Sequence, residues 1–100
     1  MAIPNVRILG RKFKIEVKDL HDMYGQCDKA AAVIAVDPDQ DEFSFKDTLL
    51  HEIMHAILHQ QGSTHSYKLE ESFVRPLATG IMTVMQDNPK LAAMLFGRIK

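Results

Sequence analysis

The hydrophobic period of the chain changes once, near Ser44, and that change limits the folds open to it. Before it, Val6 and Ile8, then Phe13, Ile15 and Val17, recur at every second position around Gly10-Arg11, the spacing of strands with one buried face. NVRILGRKFKIEVKDL, residues 5–20, therefore reads as a hairpin. MYGQCD and AAVIAVD follow around Asp28-Lys29, the second an apolar run ending at Asp37-Pro38, where proline stops the ladder. They read as a second, weaker hairpin, so the strands fall within 5–37. After Ser44, the residues Phe45, Leu49, Ile53, Ala56 and Ile57 recur at steps of three and four, and Gly62 offers a left-handed stop. This predicts a helix over 45–61, with Ser44 and Asp47 as a variant capping box. A second helix is expected over 69–87. Asn88-Pro89 reads as the cap and first position of a third, over 89–98. The expected class is α+β, a short, mainly antiparallel sheet of about three or four strands packed on helices.

A chain of 100 residues, 46% hydrophobic and 25% charged with a formal net charge of −1, suits one soluble globular domain and not a disordered segment. Nucleic acid is not expected as a partner: Arg7, Arg11, Lys12 and Lys14 cluster, but Glu16 and Asp19 follow and no aromatic ladder interleaves them. No membrane span is expected. The lone Cys27 suits a reducing compartment, and MAIPNVRILG lacks the design of a signal peptide. Both features point to the cytoplasm.

Chemistry concentrates in LLHEIMHAILHQQG, residues 49–62. His51 and His55, four apart, project from one helical face one turn apart, able to bring two imidazole nitrogens to one tetrahedral Zn²⁺ at about 2.0–2.1 Å. Glu52 lies about 100° round the helix, better placed for a proton than for chelation. His59 extends the stripe but stands about 12 Å from His51 along the axis, too far for a straight helix to deliver all three to one ion. Two histidines at this spacing can also be satisfied by backbone or solvent. The adjoining glutamate and the apolar surroundings favour the metal, since buried polar groups need partners.

HEIMH is the HExxH signature of zincin metallopeptidases. YGQCD before an apolar strand, TLLHEIMHAIL, and EESFVRPLATGIMTVMQDNP together resemble small single-domain zincins of phage and prophage genomes. These are related in outline to the ImmA/IrrE-type and minimal gluzincin peptidases, and the resemblance spans roughly residues 24 to 90. It implies a zincin-like fold, a small antiparallel or mixed sheet covered by an active-site helix and a second helix that donates a glutamate. Gln61 stands where the metzincin pattern needs a histidine and excludes that branch.

Two adjacent acids compete for the third ligand position. The apolar stripe Phe73, Val74, Leu77, Ile81 and Val84 is centred near Glu70, so burial favours Glu70. The resemblance selects Glu71, three residues before Val74 and in line with the small Ala78. Glu71 is the first choice and Glu70 the alternative, completing a site for one Zn²⁺ with His51 and His55. The implied reaction is hydrolysis of a peptide or protein substrate, with Glu52 as general base for a metal-activated water. Tyr67, His65, His59 and Arg75 are candidate oxyanion donors, none preferred. An extended substrate is expected to pair with the AAVIAV or YGQCD strand, and a phage or host protein is the kind of partner implied. Two rival readings are a closed structural zinc site, which would need a further Cys or His where Cys27 and His21 stand in the strand half with no CxxC-like pairing, and a zincin-fold binding or regulatory module with little turnover. Retention of Glu52 argues against the second, and the methionines read as core filler.

Overall fold

The computed structural model describes residues 3 and 5–97. Four strands, β1 (Val6–Ile8), β2 (Arg11–Val17), β3 (Gly25–Asp28) and β4 (Val33–Val36), precede three helices, α1 (Glu42–Gln60), α2 (Tyr67–Asp87) and α3 (Pro89–Phe96). The protein is α+β, consistent with a small zincin-like domain.

The first hairpin turns on Leu9-Gly10 (φ 47° and 89°), one residue earlier than the sequence suggests. Positive φ at both central residues matches the right-handed twist of the flanking strands, and it pairs Val6 with Phe13 and Ile8 with Arg11. The second hairpin pairs Gly25 with Val36 and Cys27 with Ile34. It is braced by Arg11, whose guanidinium donates to the carbonyls of Lys29 (2.7 Å) and Ala30 (2.8 Å). Strand order is β1-β2-β4-β3, with β2 and β4 parallel and the other two pairings antiparallel. The sheet is therefore mixed. β4 lies between β2 and β3, and its apolar run is buried from Ile34 to Val36. β3 is left at an edge.

One face of the sheet carries the core: Ile8, Phe13, Ile15, Ile34 and Val36 are buried against Ala56 of α1, with Phe45, Leu49, Ile53 and Ile57 packed around them. α1 lies across β1, β3 and β4, α2 packs on α1, and α3 packs on α2.

Helix boundaries differ from the sequence expectation where caps decide them. α1 begins at Glu42 and not at 45, because Asp41 is the N-cap and its carboxylate accepts from the Ser44 backbone N–H at 2.8 Å. The Ser44–Asp47 box does not form; Asp47 instead accepts from Thr79 Oγ1 at 3.1 Å, tying α1 to α2. α2 starts at Tyr67, two residues before Leu69, with Ser66 as N-cap. Asn88 precedes Pro89 but makes no side-chain cap, since its amide donates back to the Val84 carbonyl. The expected end of α3 at 98 lies outside the described residues. Gly62 does take the left-handed conformation (φ 77°) just past α1. No helix among the described residues is long and apolar enough to cross a membrane.

Candidate metal centre

α1 buries a polar strip. Its buried residues are Glu52, His55 and Ala56: Ala56 meets the sheet, while His55 lies under the first turns of α2. His51, one turn earlier, presents its ring beside that of His55, the centroids 4.9 Å apart. The two Nε2 atoms are 3.3 Å apart.

The Ser66 cap sets the phase of α2, and with it the direction of the two adjacent glutamates. Glu71 Oε1 lies 2.5 Å from His51 Nε2 and 2.6 Å from His55 Nε2. Glu70 reaches the other side of the same ring and hydrogen-bonds His55 Nδ1. His51, His55 and Glu71 thus bring one ligand atom each to within 4.8 Å of one another, a group able to hold a metal ion. The apolar stripe of α2 favours burial of Glu70, and Glu70 is buried (5% exposed). Buried, however, it faces Nδ1, and the less buried Glu71 faces both Nε2 atoms.

Charge follows this geometry. Burial tends to raise the Glu71 carboxyl, but hydrogen bonds from His55 and Arg75, with the charge of His51, hold it down at about 2. Its second oxygen accepts from Arg75 Nη2 at 2.9 Å. Glu52 goes the other way: burial pushes its carboxyl up to about 7, with the Glu71 charge adding and His55 opposing. Tyr67 stacks on His55 at 5.3 Å between centroids, and its phenol is raised by burial and by Glu71 and Glu52.

These groups line a cleft of roughly 760 Å³, with Tyr24 and Gly25 on the strand side, Glu52 on the floor, and Tyr67 and Arg75 on the α2 side. Gly25 is there for a steric reason. A Cβ at that position would lie 2.6 Å from Thr48 Cγ2 and 3.2 Å from Glu52 Oε2, so only glycine lets β3 pass this close to α1. A glycine inside a strand pattern was a readable signal of such an approach. Gln40 had no such signal. Its amide donates to the carbonyls of Tyr24 (3.2 Å) and Asp37 (2.7 Å) and accepts from Thr48 Oγ1 (2.8 Å), clamping the start of β3 to α1.

The remaining candidates fall away from the centre. His59 is exposed in the last turn of α1, and His65 sits edge-on to Phe73 at 5.9 Å. His21 is exposed beside Asp19. Cys27 is half-buried, its thiol pushed up to about 11 by burial with Glu52 adding.

A mixed sheet crossed by a helix bearing HExxH, with a second helix setting a glutamate against both histidines, defines a domain of the small zincin type. The family model for the peptidase family M78, described as the IrrE N-terminal-like domain, matches residues 3–80. The chain belongs to that family, a metallopeptidase-like one. No curated protein and no solved structure matches it.

Proposed function

We propose that the protein is a zinc-dependent peptidase that hydrolyses peptide bonds in the cleft between β3 and α2. His51, His55 and Glu71 are its metal ligands and Glu52 its general base. The observation that carries this reading is the convergence of the three ligand atoms beside a buried glutamate. Bonds of about 2.0–2.1 Å set the edge of a tetrahedral zinc site at about 3.3–3.4 Å; the two Nε2 atoms, 3.3 Å apart, match it, while Glu71 Oε1, at 2.5 and 2.6 Å from them, lies inside it and would draw back by under about 1 Å to ligate. Two imidazoles and one carboxylate are a catalytic zinc set, which leaves a fourth position for water or substrate. Among the described residues no further His or Cys joins the group, which favours an open site over a closed structural one. Zinc held here supplies Lewis acidity, lowering the pKa of water and polarising a carbonyl.

The protein's own groups supply the rest. Glu52 takes the proton of the attacking water on its carboxylate and returns it to the leaving amine. Its raised position, at about 7 without a metal, reflects a site dry enough to strengthen such transfers. The strand edge orients substrate. Asp37 N–H donates to Tyr24 O (2.8 Å), so the next pair, Gly25 with Val36, is the non-hydrogen-bonded kind, and Gly25 turns its N–H and C=O to the open edge. An extended peptide or protein segment, of phage or host, pairs there. We place this activity in the cytoplasm, a reducing setting that suits the lone Cys27.

Elemental analysis of untagged protein tests the metal: one zinc per chain is expected, lost in His51→Ala. A protein that takes up no metal even from added zinc contradicts the proposal.

A further inference from the structure

His55 is 1% exposed and Glu70 is 5% exposed, so their contact is sealed from solvent inside the α1–α2 packing. Burying a carboxylate is costly unless it is paired and hydrogen-bonded. A methionine or leucine would fill the same space without that penalty. What the carboxylate adds is an acceptor aimed at one atom, His55 Nδ1. A neutral imidazole with its proton on Nδ1 has its lone pair on Nε2, and Nε2 is the nitrogen on the side of His51 and Glu71.

We infer that Glu70 is a positioning residue which orients His55, holding a proton on Nδ1 so that Nε2, the nitrogen facing His51 and Glu71, is the one left to ligate a metal. The adjacent glutamates divide the work on one ring: Glu71 stands with the ligands, and Glu70 fixes the ring that ligates. Tyr67 stacks on the ring face, the rings 18° from parallel, which restrains tilting. Glu70 restrains rotation within the plane. A ligand histidine tied through its second nitrogen to a carboxylate is held in place, and loss of such a partner lowers metal affinity about 10- to 100-fold. This inference rests on the proposed zinc site.

Two variants separate orientation from space filling. Glu70→Gln keeps an acceptor for Nδ1–H, while Glu70→Met keeps the volume and loses it. Zinc affinity is measured by competition with a chromogenic chelator, and the Nδ1 proton by imidazole ¹⁵N NMR on the full chain with and without zinc. Glu70→Gln should bind zinc close to wild type and keep the Nδ1–H signal. Glu70→Met should bind about 10- to 100-fold more weakly and lose that signal to exchange. Wild-type affinity in Glu70→Met overturns the inference while leaving the zinc site standing. So does complete loss of zinc in Glu70→Met with full retention in Glu71→Ala, which would make Glu70 the ligand. If the wild-type chain takes no zinc, the zinc site fails on its own, and the metal-free NMR still decides. A Nδ1–H signal present in wild type and Glu70→Gln but absent in Glu70→Met upholds the role of Glu70; its absence from wild type overturns it.

Discussion

The Nε2 atoms of His51 and His55 lie 3.3 Å apart at neighbouring turns of α1, yet the two side chains differ in what else they hold. His51 is partly exposed and contacts Glu71, whereas His55 is buried and contacts Glu70 as well.

Replacing either histidine with alanine should remove zinc, but the cost to the metal-free fold should differ. His55→Ala strands the buried Glu70 carboxylate and should cost about 3 kcal/mol. His51→Ala leaves Glu71 its Arg75 partner and should cost about 1 kcal/mol or less. Urea melts of the metal-free proteins measure the difference, and equal losses would count against the Glu70–His55 contact.

Gly25→Ala should damage the cleft through one methyl clash. Its Cβ meets Thr48 Cγ2 at 2.6 Å, and Thr48 is fixed by Gln40, so overpacking should cost about 1–3 kcal/mol. The double variant Gly25→Ala with Thr48→Ser removes Cγ2 but keeps the hydroxyl, and should recover part of that loss. No recovery in a thermal melt would show that the clash is not with Thr48.

Much of this architecture is legible in the sequence. The period change separates strands from helices because a buried sheet face and a buried helix face repeat at different intervals, and the spacing of His51 and His55 follows from one helical turn. The parallel pairing of β2 with β4 was not legible, since an alternating pattern identifies a buried face and not a neighbour. Nor was the choice between Glu70 and Glu71. Both approach His55, from opposite sides of its ring, and no helical-face argument on α2 alone shows where that ring stands. The start of α1 is not legible either, because Asp41 outcompetes Ser44 as cap, a contest between two good capping residues three positions apart.

Acid should weaken the fold through Asp37. This buried side chain accepts from Leu20 N–H (2.9 Å) and Asp39 N–H (2.8 Å), and those bonds lower its pKa. The folded value is depressed, so the unfolded state binds protons first as pH falls. The stabilisation is therefore present above the unfolded carboxylate range and is lost as pH falls through the folded value. Asp37→Asn should melt below wild type near neutral pH, with the gap narrowing in acid. A gap independent of pH would remove this group from the acid response.

Peptide-library cleavage by the zinc-loaded protein, run beside Glu52→Gln, tests the central claim most directly. Glu52→Gln should keep its zinc and its fold, because Glu52 is not among the three converging ligand atoms, while cleavage should fall at least about 100-fold for want of the general base. Cleavage that survives Glu52→Gln undiminished, or none at all from wild-type protein shown to hold zinc, would contradict the account.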